Sequence, residues 1–268
     1  HLRKTGEIVV LSVAVNRVHG EQEGGDYAIA IVQDVTERRR LEHARQALAD
    51  RARAHALAVH ALSESASMAA GDVERFAREV TEQAARATGV ERASVWLFND
   101  DQTELRCLDL YEAARRQHSS GSVLVVEQFR RELGALQQAR SVAADDPLTD
   151  PRTAGYVEVY LKPLRITSML DVVVQSASRN AGLLCLEHVD AAHHWEADEI
   201  AFATLIADKI GFALAAQVRR EHEEATTRAE ARYRDIFNSA RDGIAVLDAD
   251  SGLVVDCNPE FERQSGRP

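Results

Sequence analysis

The fold is decided by two runs of sequence, Ser168-Met-Leu-Asp-Val-Val-Val-Gln175 and Gly182-Leu-Leu-Cys-Leu-Glu-His-Val189. Both are rich in apolar and β-branched residues, which favour strands, and the polar turn Ser178-Arg-Asn-Ala181 separates them. The same pattern occurs earlier in the chain, with strand-like runs at 93–98 and 104–111. Two successive hairpins predict an antiparallel sheet in the middle of the chain.

Helix-forming sequence surrounds this sheet. A helix is predicted over 72–87, because Asp72 can accept from free N–H groups at its start and Gly89 can end it in a left-handed conformation. Another helix begins after Trp195 and reaches about residue 237. We therefore expect an α+β fold, an antiparallel sheet with flanking helices set between long connector helices.

The composition narrows the class of protein. The chain has 268 residues and a formal net charge of −11, which argues against nucleic acid binding because phosphates require a basic surface. Three isolated cysteines are typical of a reducing compartment. No apolar run approaches the 18 residues of a membrane helix, so we expect a cytoplasmic segment. The sequence begins with His1, and a membrane anchor upstream stays open.

The two ends of the chain look like pieces of one kind of module in reversed order. Residues 26–39 suggest a closing strand that follows a Gly-rich turn at 19–25 and leads into a helix, with Asp34 as the predicted N-cap. Residues 233–259 suggest an opening helix followed by a first hairpin. An ending that precedes a beginning predicts a piece of a longer, multi-domain protein.

Short motifs give these terminal pieces a family resemblance. Asp34-Val-Thr-Glu-Arg-Arg39 closely resembles the segment that ends PAS domains. The stretch that opens with Tyr233-Arg-Asp-Ile-Phe237 is similar to the start of a PAS domain. The resemblance implies the C-terminal end of one PAS domain at 1–36 and the start of a second at 233–268. The two pieces could pair into one composite sheet.

The middle of the chain resembles a GAF domain. The resemblance is carried by Val90–Phe98, Tyr160–Asp171, Gly182–His188 and the run that starts at Trp195. It implies a GAF domain at 63–216, joined to the terminal pieces by connector helices at 37–62 and 217–232.

The GAF resemblance also implies a function. GAF domains of this kind are common in bacterial histidine kinases and diguanylate cyclases, where they bind small molecules or relay signals. We expect a sensory segment of a two-component system that acts as a homodimer through its connector helices. Leu48, Ile210 and Leu214 are the predicted dimer contacts. A histidine kinase output domain is favoured; a diguanylate cyclase or phosphodiesterase, or a ligand-free dimerisation spacer, are the alternatives.

The family plan places a ligand cavity between the sheet and the segment 111–165. Polar side chains in that segment can orient a ligand in a mostly apolar pocket. The alternative is that Asp145 and Asp150 build turns before proline and cap a helix. The predicted ligand-binding residues are His118, Ser119, Asp145, Asp150, Arg152, Tyr156, Tyr160 and His188.

Other kinds of site are not expected. A metal site at Cys185, His188, His193 and His194 is disfavoured. Cys185 and His188 are three apart on a strand and so face opposite sides of the sheet, and His193 and His194 are adjacent in a loop, where both are not expected to ligate. Phytochrome-type GAF domains carry a Cys-His or a His before the Tyr-Leu pair; the matching positions here are Tyr156 and Val157, so we expect no covalent bilin. The motif of cyclic-nucleotide-binding GAF domains is missing.

The sequence also predicts no catalytic residue. No nucleophile, base and orienting group share a supporting spacing. The enzyme alternative, a GAF-fold sulfoxide reductase, needs a reactive cysteine near 111–165, and that segment contains none.

Overall fold

A computed structural model describes residues 8–18 and 27–266. The predicted turn at 19–25 lies outside the described residues. The strands are β1 Leu11–Val18, β2 Tyr27–Asp34, β3 Arg92–Phe98, β4 Glu104–Glu112, β5 Gln117–Ser119, β6 Val123–Val125, β7 Ser141–Ala144, β8 Ile166–Ser176, β9 Arg179–Val189, β10 Ala245–Leu247 and β11 Val254–Cys257. The α-helices are α1 Thr36–Ser63, α2 Ala66–Ala70, α3 Val73–Thr88, α4 Arg130–Gln138, α5 Lys162–Leu164, α6 Ala197–Ser239 and α7 Pro259–Ser265.

Seven strands form one antiparallel sheet. Its order is β5-β4-β3-β9-β8-β7, and β6 pairs with the far end of β4. The two runs that decide the fold are β8 and β9, paired as a long hairpin in which Asp171 lies opposite Cys185. This confirms the predicted α+β class, with an antiparallel sheet between helices.

Alternating residues of the sheet face two different layers. On one side α1, α3 and α6 cover the sheet, and the buried residues Phe76, Leu170, Leu184 and Ile206 belong to one apolar cluster. On the other side lie α4 and the segment 154–164, and a separate cluster forms there. We call the first side the helix face and the second the cavity face.

Local signals explain where the helices begin and end. Asp72 accepts a hydrogen bond from the Arg75 N–H at the start of α3, and Gly89 ends that helix at φ 76°. Here the sequence prediction is confirmed. At α1 it is wrong by one residue: Val35 is the N-cap, while Asp34 accepts from the backbone N–H and hydroxyl of Thr36.

The terminal pieces form small sheets of their own. Strands β1 and β2 pair only with each other, and so do β10 and β11. The suggested composite sheet is therefore wrong. Near the C-terminal piece, the fully buried Asn258 side chain donates to the carbonyls of Phe237 and Asp242 and accepts from the Ile244 N–H. These bonds tie the end of α6 to the last hairpin.

The apolar residues that the long helices expose coincide only in part with the predicted dimer contacts. Ile210 is completely buried in its own domain and is not free to meet a second copy, whereas Leu214 is only partly buried against the same cluster. Leu48 is exposed as expected, and Phe212 on α6 is 65% exposed. In the part of the chain that the structure describes, no helix is sufficiently long and apolar to cross a membrane.

Candidate functional site

A cavity of about 220 Å³ lies on the cavity face of the sheet. Its floor is formed by β3, β8 and β9, and its walls by β6 and by the short helical turns that precede β8. Apolar side chains dominate the lining: Trp96, Leu105, Leu124, Phe129, Met169 and Leu183. An apolar concavity with a few polar groups is the arrangement that small-molecule binding requires.

A π-helical turn, Val157–Leu161, forms the roof of this cavity and is fastened to the floor. The Tyr160 hydroxyl donates to Glu187 Oε1 over 2.7 Å, and Arg92 Nε donates to Glu187 Oε2 over 2.9 Å. Burial by itself would lower the pKa of Arg92, but the adjacent Glu187 carboxylate raises it. The roof is thus held by a hydrogen bond from Tyr160 to a buried ion pair in the floor. Turns of π-helix occur frequently at functional sites.

A second carboxylate lies in the floor. Asp171 is 4% exposed, and its Oδ1 atom has no hydrogen-bond partner among the residues that the structure describes. Burial raises the pKa of Asp171 to about 7, against the effect of the nearby Cys185 thiol. Burial also raises the pKa of Cys185 well above its ordinary value, so this thiol is a poor nucleophile at neutral pH.

Two of the eight predicted ligand-binding residues, Tyr156 and Tyr160, line the cavity. Burial raises the pKa of both phenols, which are neutral at physiological pH. The other six predicted residues are outside the cavity lining, and ligand contact at all eight positions stays a prediction.

His118 and Ser119 lie on β5 at the edge of the sheet. His118 Nδ1 is 2.9 Å from Oδ2 of the buried Asp109, which also accepts from the Thr81 hydroxyl over 2.5 Å. A bulge in the β3–β4 pairing turns Asp109 toward α3. The Asp109 carboxylate therefore occupies this side of the imidazole, which disfavours an anionic ligand there.

The predicted acidic loop residues make local contacts. Asp150 accepts from the backbone N–H of Arg152 over 2.8 Å and forms an ion pair with its guanidinium. Asp145 accepts from the Trp195 N–H and contacts His194. These contacts are those of turns and of a loop anchored to the start of α6.

His188 lies on the helix face, opposite in direction to Cys185. Its Nδ1 is 3.0 Å from Glu91, and its ring is tilted against that of His193, with 4.3 Å between centroids. Burial lowers the pKa of His188 and favours the neutral ring. Cys185 and His188 face opposite sides of the sheet. Among the described residues, no group of three or more His, Cys, Asp or Glu side chains could hold a metal ion.

The residues that sequence reasoning missed come from the strands. Asp171, Cys185 and Glu187 line the cavity, although all three sit in runs that look like uninterrupted core. The segment 111–165 contains no cysteine, but β9 places Cys185 in the lining of the cavity. The sequence argument against a reductase therefore does not cover this cysteine. A signal was present: Met169, Asp171 and Val173 alternate, so they share one face of β8.

Comparison with protein families gives two matches. The model of the GAF domain matches residues 72–214, and a model of the PAS domain matches residues 231–268. No curated protein matches the chain. Both families are sensory domains, so the chain has a sensory or signalling role.

Solved structures share the fold at low sequence identity. The bacteriophytochrome RpBphP3 from R. palustris is 14% identical, with a TM-score of 0.52 over 69% of this chain and 41% of that one. The far-red absorbing dark state of JSC1_58120g3 with bound biliverdin IXα is 19% identical, with a TM-score of 0.50 over 61% of this chain and 98% of that one. The GAF domain of an Acinetobacter phosphoenolpyruvate-protein phosphotransferase is 14% identical, with a TM-score of 0.48 over 60% and 90%. The GAF model covers more than half of the residues of this chain, so the chain belongs to the GAF domain family.

Proposed function

We propose that this chain is the sensory segment of a bacterial signal-transduction protein, in which the GAF domain binds a small molecule and signals through dimeric helices to a downstream output domain. In this proposal the GAF domain occupies 63–216, with connector helices at 37–62 and 217–232 and PAS pieces outside them. The observation that carries it is the apolar cavity with an unpartnered buried carboxylate oxygen.

The path from the cavity to the connector helix is short. Asp171 and Cys185 face the cavity, while their neighbours Val172, Leu184 and Leu186 face α6 on the other side of the same strands. The 43 residues of α6 then run without interruption to Ser239, at the second PAS piece. A ligand that moves β8 or β9 would therefore move α6, because close-packed interiors transmit strain. Coupling requires only that the ligand bind the two helix positions with different affinity.

The connector helices offer a surface for a second copy. Arg51 pairs with Asp198, and His55 stacks on Phe202, so α1 and α6 run side by side in the same direction. Both helices then present apolar side chains to solvent, namely Leu41, Leu48 and Leu57 on α1 and Leu205, Phe212 and Val218 on α6. Exposed apolar surface of this extent favours an interaction with another protein surface.

Sedimentation of the 268-residue chain tests the dimer. Replacing both Leu48 and Phe212 by Lys should dissociate it, since like charges would meet in an apolar contact. Leu148→Lys, in an exposed loop, is the control and should sediment as the wild type does. A wild-type chain that is monomeric at high concentration contradicts the dimeric relay.

Native mass spectrometry of the purified chain tests ligand binding against the alternative of a ligand-free spacer. A co-purifying small molecule supports a sensor. Leu124→Trp fills part of the cavity and should release that molecule, whereas Leu148→Trp, outside the cavity, should retain it. If the wild-type domain purifies without a ligand and binds none of the compounds that are added, the result favours a ligand-free spacer.

A histidine kinase is the output domain that we favour, and a diguanylate cyclase or phosphodiesterase is the alternative. GAF and PAS modules accompany both kinds of output. Reading the few hundred residues that follow residue 268 in the parent gene distinguishes them. A histidine-phosphotransfer helix followed by an ATP-binding domain is the expected result, and a cyclase domain would contradict it.

A further inference from the structure

In the cavity floor, Asp171 carries a buried carboxyl oxygen that no group among the described residues satisfies. Its neighbours across the sheet are Val142 on β7 and Cys185 on β9. A buried oxygen without a donor is costly, and buried polar groups in native proteins nearly always have partners. A molecule in the cavity that carries a donor group could satisfy this oxygen.

The charges around the cavity limit what that molecule can be. Glu187 is already satisfied, because Arg92 and Tyr160 both donate to it. Among the described residues that line the cavity, none is Lys, Arg or His. An anionic ligand would therefore enter a mostly apolar lining without a compensating cation, so phosphates and carboxylates are disfavoured.

The volume and shape of the cavity limit the molecule further. About 220 Å³ corresponds to roughly seven water molecules at about 30 Å³ each. Pockets for drug-sized ligands are larger, about 300–1,000 Å³. The walls carry aromatic rings from Trp96, Phe129 and Tyr156, which favour flat partners by offset or edge-to-face stacking.

We propose that the cavity takes a small, uncharged molecule of one or two aromatic rings, whose N–H group donates a hydrogen bond to Asp171 Oδ1. This inference rests on the proposed sensory function and adds the chemical class of the ligand. The rings fill the apolar walls, and the single polar contact fixes their orientation. The same contact lies on β8, whose opposite face packs against α6.

Indole and benzo[b]thiophene are suitable probes, because they have nearly the same shape and only indole has an N–H donor. Their affinities for the full 268-residue chain can be measured by ligand-observed NMR titration or calorimetry. Wild-type protein should bind indole on the order of tenfold more tightly, the value of a hydrogen bond to a buried acceptor. Indole-2-carboxylate, which adds a negative charge, should bind more weakly than indole.

Asp171→Leu removes the acceptor while keeping the number and branching of the non-hydrogen side-chain atoms, and it should reduce the preference for indole to less than about twofold. Asp101→Leu, in the exposed turn between β3 and β4, is the matched control and should keep the wild-type preference. Circular dichroism establishes that each variant is folded. Equal binding of the two probes to the wild type, or a tenfold preference for indole in Asp171→Leu, would overturn the inference.

Failure of this inference is distinguishable from failure of the proposed function. If both probes bind the wild type equally, the cavity is a ligand site and only the Asp171 contact is refuted. A co-purified anion refutes the ligand class alone. If neither probe binds and the purified domain is empty, the ligand-binding function and the inference both fail.

Discussion

The two faces of the central sheet are built from the same strands and differ in how they are filled. On the helix face Leu170, Val172 and Leu184 are completely buried against α3 and α6. On the cavity face the alternate residues Asp171 and Cys185 border an opening of about 220 Å³. Thus β8 and β9 present a close-packed surface to the helices and an incomplete, partly polar surface to the cavity.

This difference suits the two faces of the sheet to different roles. A close-packed face resists local change and moves as a body with its helices. A face with a cavity and an unpartnered carboxylate oxygen gives up stability, a loss often found at functional sites. Adjacent residues of each strand face opposite sides of the sheet. A ligand on the cavity face is therefore separated from α6 by the thickness of one strand.

The comparison is tested most strongly by truncating one phenylalanine on each face. Phe76→Ala in α3 should cost about 3–5 kcal/mol, because the ring is completely buried in a packed cluster. Phe129→Ala should cost clearly less, since that ring already borders the cavity and has fewer neighbours to lose. Urea denaturation of both variants measures the difference. Equal losses would mean that the cavity face is as tightly packed as the helix face.

The acid in the cavity floor should give the protein a characteristic pH dependence. Because the folded pKa of Asp171 is about 7 and its ordinary value is 3.8, the native state binds more protons between those limits. The free energy of unfolding should therefore fall as the pH rises from 4 to 8, by about 4 kcal/mol from this group. Glu187, Cys185 and Tyr156 are the titratable groups nearby.

Asp171→Leu isolates that contribution. The stability of the variant relative to the wild type should increase between pH 4 and pH 8, as measured by urea denaturation at each pH. Asp101→Leu, an exposed substitution, should show no such trend. A constant difference between Asp171→Leu and wild type at all pH values would show that Asp171 titrates normally.

Much of the fold was predictable because its signals are local. The Asp72 and Gly89 caps, the two hairpins and the helix after Trp195 each depend on a few adjacent residues. The errors occurred where distant packing decides. Ile210 looked like part of a dimer seam, but the sheet of its own domain covers it. An apolar helical stripe does not reveal which surface buries it.

The candidate site was less predictable for a related reason. Tyr156 and Tyr160 are predictable because they stand in a polar segment expected to cover the sheet. Asp171 is not, because the apolar run around it is typical of core. Its position beside Cys185 depends on the pairing register of β8 with β9, and its missing partner is visible only in three dimensions.

The smallest test of the comparison adds one methyl group to a helix on each face. A Cβ on Gly211 in α6 would lie 2.0 Å from the Gln175 carbonyl oxygen of β8, so Gly211→Ala must push the helix away from the sheet. Overpacking of this kind costs about 1–3 kcal/mol, more than the gain in helix propensity. A Cβ on Gly134 in α4 meets nothing within 4 Å, so Gly134→Ala should stabilise the protein by about 0.5–1 kcal/mol.

Thermal unfolding of both variants measures these two effects, which we expect to have opposite signs. The same substitution in two helices should lower the Tm on the helix face and raise it on the cavity face. If Gly211→Ala also raises the Tm, α6 is not pressed against β8, and the cavity would have no rigid path to the connector helix. If Gly134→Ala lowers it, α4 is packed as tightly as α6, and the two faces of the sheet would no longer differ in their freedom to accept a change.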